Sequence, residues 1–141
     1  MNSHAERVQR LQLNLIILTL LMVAAGAIAV TKAVAPIDPS GQYGCTGTGP
    51  NGKSYDADLA VEKNNDGYNL TWSNEGETAG IGVGILKGDV LTAIFQTPNA
   101  VGVVAFTVSK NGLDGTWTIP QLDGAISPEV CTVGSGPAKA A

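Results

Sequence analysis

The chain has 141 residues and a formal net charge of −4, with 8 Lys+Arg against 12 Asp+Glu. His4, Arg7 and Arg10 all lie at the very start, so the chain beyond residue 10 contains neither His nor Arg. That distribution argues against nucleic acid and anionic membrane surfaces as partners, because both need basic stripes. It also removes His-based triads and His-ligated zinc from the rest of the protein.

In chain order, Arg7 and Arg10 precede an apolar run from Leu15 to Val30, and Ala27-Ile28-Ala29 supplies small residues at signal-peptidase spacing. This is the three-part pattern of a secretory leader, with cleavage expected after Ala29 and a signal peptide over residues 1–29. An uncleaved inner-membrane anchor over residues 11–30, with the arginines cytoplasmic, is the alternative; a helix buried against the domain is a third. No Cys stands directly after the run, which disfavours a lipoprotein anchor. Residues 30–40, with Pro36 and Pro39, read as an extended linker. The domain proper is expected over 41–134 and a flexible tail over 135–141.

Within the domain the polarity alternates with period two. Tyr55, Ala57, Leu59 and Val61 oppose Asp56, Asp58, Ala60 and Glu62; Tyr68, Leu70 and Trp72 oppose Asn69, Thr71 and Ser73. Leu113, Gly115, Trp117 and Ile119 repeat the pattern. Residues 89–96 and 101–109 are apolar on both faces, which predicts that they sit centrally or line something. Turn signals such as Pro50-Asn51-Gly52, Asn64-Asn65-Asp66-Gly67, Lys87-Gly88-Asp89, Pro98-Asn99 and Asn111-Gly112 separate the segments. The expected strands are 42–48, 54–63, 67–73, 80–86, 89–96, 101–109, 112–119 and 128–133.

Short connections force antiparallel neighbours, and a meander of about eight strands tends to close because closure removes its edges. The fold class is therefore all-β, a single antiparallel up-and-down barrel, with a β-sandwich as the alternative. Cys45 and Cys131 stand near the two ends of the domain, and an oxidising compartment would let them pair. That disulfide would place the first and last strands side by side. A free-thiol or redox pair is the competing reading, and the CxxC spacing that would favour it is missing.

Ile81, Val83 and Ile85 share one face of 80–86, while Gly80, Gly82 and Gly84 leave the other bare. Such a stripe serves as a sharply curved barrel corner or a flat bed for Trp72 or Trp117; it could also be a wall against which a ligand lies. Trp72, Gly80, Gly82, Gly84, Phe95, Phe106 and Trp117 are accordingly the candidate ligand-contact or core residues. Gly47-Thr48-Gly49-Pro50-Asn51-Gly52-Lys53-Ser54 matches the phosphate-loop pattern GxxxxGK[ST], but that chemistry needs a helix after the loop. Here a period-two strand follows and Pro50 removes an N–H, so a Gly-rich hairpin is expected. Residues 62–67 fit a calcium loop poorly, since Ser73 stands where the closing Glu belongs. Asn69-Leu70-Thr71 is a glycosylation sequon inside a strand. Paired carboxylates, Asp56 with Asp58 and Glu75 with Glu77, are the remaining route to a hydrolase, and solvated surface charge explains them better. No cofactor and no metal site are expected.

Gly41-Gln42-Tyr43, Gly47-Thr48, Thr71-Trp72, Gly80-Ile81-Gly82, Gly102-Val103-Val104 and Gly112-Leu113-Asp114-Gly115-Thr116-Trp117 follow one another in that order. Over residues 40–133 the chain resembles small exported bacterial proteins carrying the label "fibronectin-binding protein". Gly-Thr-Trp is also similar to an element of avidin- and lipocalin-like barrels. The resemblance implies an exported β-rich domain and carries over no site residue. The expectation is a non-enzymatic binding module, periplasmic or secreted, for a small apolar ligand or for an envelope or extracellular protein. A structural or adhesive protein with no pocket is the alternative. Membrane contact is expected only through an uncleaved leader.

Overall fold

The computed structural model describes residues 35–134; the expected leader, the first part of the linker and the tail lie outside the described residues. Eight strands follow one another: β1 (Gly41–Thr48), β2 (Ser54–Asn64), β3 (Gly67–Asn74), β4 (Glu77–Lys87), β5 (Val90–Gln96), β6 (Val101–Ser109), β7 (Gly112–Thr118) and β8 (Ser127–Val133). Each pairs antiparallel with the next, and β8 pairs with β1, so the sheet is a closed barrel. The up-and-down barrel inferred from short connections is thus the observed fold, and the sandwich is not.

Closure is covalent as well as hydrogen-bonded. Cys45 and Cys131 face each other across the β1–β8 seam with Cα atoms 4.0 Å apart, and their sulfurs are bonded. Both side chains point inward and are buried. A disulfide of this kind fits an oxidising compartment.

Alternation along the strands sends Leu59, Leu70, Leu91, Val104, Phe106 and Leu113 into the barrel, where they are almost wholly buried. They fill the middle of the interior. One end is plugged by the segment before β1: Pro39 is fully buried, and its carbonyl accepts a 2.7 Å hydrogen bond from the Tyr43 hydroxyl.

The glycine stripe on β4 faces inward. A Cβ at Gly82 would stand 3.1 Å from Cζ3 of Trp72, and one at Gly84 would stand 3.3 Å from Cδ1 of Leu70. The bare strand is therefore a bed for β3 side chains, as the curvature-or-bed reading expects. β4 begins at Glu77, three residues before the expected start, because the pairing with β3 slips between Trp72 and Ser73 and leaves Ala79 as the extra residue of a bulge. The polar Glu77-Thr78 pair lies on the exposed start of the strand and breaks the alternation on which the sequence reading depends. Pro120–Leu122 forms a short 3-10 turn before β8.

One expectation is corrected. Of the two placements expected for the apolar segments 89–96 and 101–109, the central one fails, because a closed barrel has no central strand. The lining one holds at Phe95, which borders the cavity described below. Their inner faces form core, while Ile94, Val101 and Val103 lie exposed on the outside. They join Ile81, Val83 and Ile85 in an outward apolar patch, with Ile94 paired to both Val83 and Val103.

Replacing Cys45 and Cys131 together by Ala should lower the unfolding free energy by about 2–5 kcal/mol. Denaturant titration of the oxidised protein beside the double variant will show it. An unchanged midpoint would mean that the β1–β8 hydrogen bonds close the barrel unaided.

Candidate ligand site at the open end of the barrel

In an up-and-down meander alternate connections share an end. The β1–β2, β3–β4, β5–β6 and β7–β8 connections frame the end opposite the Pro39 plug. There the interior opens into a cavity of about 320 Å³, walled by Tyr55, Trp72, Phe95 and Trp117, rimmed by Gly49 and Thr97, and reaching Glu129. The volume lies at the lower end of the range for small-molecule sites, roughly 300–1,000 Å³. The barrel is thus neither solid nor hollow: it is packed through the middle and cupped at one end.

The aromatic wall is ordered by ring contacts. Trp72 and Phe95 have centroids 5.9 Å apart with planes inclined at 58°. Phe95 and Trp117 stand 6.1 Å apart in an edge-to-face arrangement at 83°. Both geometries are favourable for aromatic pairs. Gly80 also borders the cavity, whereas Gly82 and Gly84 lie deeper as packing surface and Phe106, with no exposure, belongs to the core.

The chemistry of the cup is concentrated in Glu129, which sequence reading overlooked. Its residue is only 3% exposed. The inward direction follows from β-strand geometry: Cys131 is buried on the inner face beside Cys45, so the residue two positions earlier points inside too. Room for the carboxylate comes from its neighbours, since Glu129 pairs with Gly47 on one side and Gly115 on the other. Neither glycine could bear a side chain, because the Tyr55 ring lies over Gly47 and the Phe106 ring over Gly115. One rung of the barrel therefore runs Tyr55, Gly47, Glu129, Gly115, Phe106 across five strands.

The Trp72 indole N–H donates a 3.0 Å hydrogen bond to Oε1 of Glu129 from the far side of the barrel. Burial pushes the Glu129 carboxyl above its ordinary value, and hydrogen bonding from Trp72 and Tyr55 only partly offsets this. No cation among the described residues acts on it. Burial, aided by the charge on Glu129, also raises the Tyr55 phenol well above its ordinary value, so that group remains a neutral donor. The Trp117 Nε1 atom is buried without a hydrogen-bond partner of acceptable geometry, although the Tyr55 hydroxyl lies near enough to feel it. Buried donors without acceptors are uncommon in folded proteins.

Cys45, Glu129 and Cys131 bring potential metal-ligand atoms within 4.8 Å of one another. Both sulfurs are spent in the disulfide, however, so the group offers only one carboxylate. The 3.9 Å approach of Cys131 Sγ to Oε1 is a contact and not a hydrogen bond, since a disulfide sulfur carries no proton.

The other carboxylates singled out in the sequence lie outside the cup. Asp56 borders its mouth, but its Oδ1 accepts a 3.0 Å bond from Thr46 Oγ1 on the outer surface. Asp58 is half-buried on the outward face of β2, and Glu75 and Glu77 are exposed at the β3–β4 turn. Gly47 to Ser54 form the end of β1, a tight turn and the start of β2, with Gly49 N–H donating to the Lys53 carbonyl at 2.7 Å. No helix follows Lys53, so the phosphate-loop match is a hairpin. No family model matches this chain, and no curated protein matches it in sequence.

A carboxyl raised by burial favours the folded state most when protonated. Its contribution is present in full below the unfolded value near 4.5 and is lost as pH rises through the folded value. Wild type should therefore lose stability relative to Glu129→Gln as pH increases from the acid side. Thermal unfolding of both proteins across that window checks this, and parallel curves would contradict the assignment.

Proposed function

We propose that this protein is an exported binding module, non-enzymatic, whose ligand is a small and mostly apolar molecule held in the open end of the barrel. The observation that carries this reading is the cavity of about 320 Å³ bounded by Trp72, Phe95 and Trp117 above a packed core. Aromatic walls around a few buried polar groups, Glu129, the Tyr55 hydroxyl and the Trp117 N–H, have the general make-up of a small-molecule site. Export rests on the leader pattern of residues 1–29 and is supported by the disulfide.

The reading is tested at the rim. Ala79, the exposed bulge residue, lines the mouth without contributing to the core. Ala79→Trp should leave thermal stability nearly unchanged and abolish retention of small molecules that native mass spectrometry finds on the wild type. Equal retention by both proteins would place the ligand elsewhere.

A second reading, an adhesive envelope protein, is favoured by the outward apolar patch. Ile81, Val83 and Ile94 there are 57%, 64% and 60% exposed, and contiguous apolar surface of this sort commonly marks a contact for another protein. It also accords with the fibronectin-binding label of the proteins the chain resembles. Under this reading Ile94→Lys abolishes retention on immobilised fibronectin while Ala79→Trp does not. Wild-type protein that fails to bind the surface would remove this form of the adhesive reading.

A further inference from the structure

The cup presents a mismatch. Its walls are apolar, yet Glu129 is buried at its inner end with no cationic partner among the described residues. Taking a carboxylate out of water is costly unless an opposite charge and hydrogen bonds compensate. Here Trp72 supplies one 3.0 Å bond to Oε1 and the Tyr55 hydroxyl a second interaction, two neutral donors against a carboxylate that can accept about four bonds. The aromatic rings lining the cup offer a second preference of the same sign to a cation seated over a π-face, Trp above all. The wider field agrees: residues 35–134 carry four lysines against eleven carboxylates, and such an imbalance draws positive ligands.

We propose that the cup selects small organic cations, with an ammonium group set against Glu129 and an apolar or aromatic body between Trp72, Phe95 and Trp117. This deepens the ligand-binding reading above and rests on it. A neutral ligand of the same shape would leave the carboxylate uncompensated, and an anionic one would be repelled by it. The disulfide beneath Glu129 and the glycines beside it make the carboxylate a fixed feature of the floor, so selectivity is built into the barrel and needs no loop movement.

Binding of such a cation favours the ionised carboxylate, so affinity should rise with pH as Glu129 loses its proton. The groups facing Glu129 make this assignment specific. β1 offers Gly47 and the bonded sulfur of Cys45, β3 offers Trp72, β6 offers Phe106, and β7 offers Gly115 and Trp117, none of which titrates. Tyr55 on β2 is the one titratable neighbour, and it stays protonated across the acid and neutral range. On the rim, Asp56 and Lys53 are exposed.

The test uses probes that share a body and differ in charge: 2-phenylethylamine, 2-phenylethanol, 3-phenylpropanoate and trimethyl(2-phenylethyl)ammonium. Binding to the purified protein is read by calorimetry and by tryptophan fluorescence. At about pH 7.5 the two cations should bind at least about tenfold more tightly than the alcohol, and the propanoate more weakly still. Glu129→Gln should weaken the cations by about tenfold or more and leave the alcohol within about twofold. For the permanently charged probe only the protein titrates, so its affinity for wild type should fall as the pH is lowered to about 4. Alcohol binding equal to that of the amines, or cation affinity that does not fall with pH, would overturn the charge selection while sparing the apolar-ligand reading. If no probe binds wild type at millimolar concentration, both readings fall. Should Glu129→Gln not fold, the pH series with the quaternary probe carries the test alone.

Discussion

The pairing of β1 with β8 through Cys45 and Cys131 is the constraint on which the rest of the molecule depends. It converts an open meander into a barrel, removing the two edges that would otherwise be available for aggregation. It also fixes a register, and because strand side chains alternate with period two, register decides which residues are inside. With Cys131 pointing inward, Glu129 and Ser127 must do so as well, and both are buried. The bond that closes the sheet is therefore the same bond that brings a carboxylate into the interior.

Once closed, an eight-stranded barrel has just enough interior for side chains to fill, and this one controls filling through size complementarity between neighbouring strands. Large rings lie over inward glycines: Tyr55 over Gly47, Phe106 over Gly115 and Phe95 over Gly102. At the plugged end, Pro39 and Tyr43 complete the packing. At the other, Trp72, Phe95 and Trp117 stand around the space without entering it. The cup is thus a consequence of where rings stop along each strand, and it is rimmed by hairpins whose turns contribute little bulk.

Much of this architecture was legible in the sequence, because alternation is a local signal. The strand holding Tyr55, Ala57, Leu59 and Val61 and the one holding Tyr68, Leu70 and Trp72 could be read directly, as could the hairpin hidden in a phosphate-loop pattern. Two features were not. In β5 and β6 both faces are apolar, and periodicity alone leaves them either central or lining something; only barrel closure shows that Ile94 and Val103 face outward. Glu129 was passed over because a lone acid among β-strand residues ordinarily marks the solvent side. A partial signal was present: residues 129 and 131 lie two apart on one strand, so once the Cys131 side of the disulfide is known to face the interior, Glu129 must share that face.

That carboxylate is difficult to account for by folding alone. The Trp72 N–H needs an acceptor, and a glutamine at position 129 would provide one without desolvating a charge. Glutamate adds only cost to the fold, since no cation among the described residues compensates it and burial has raised its proton affinity. Charged groups held in unfavourable surroundings concentrate where a protein meets its ligand, and in this barrel the aromatic cup opens onto Glu129. The energetic penalty and the cavity thus share a location, and a positively charged guest would relieve the first by occupying the second.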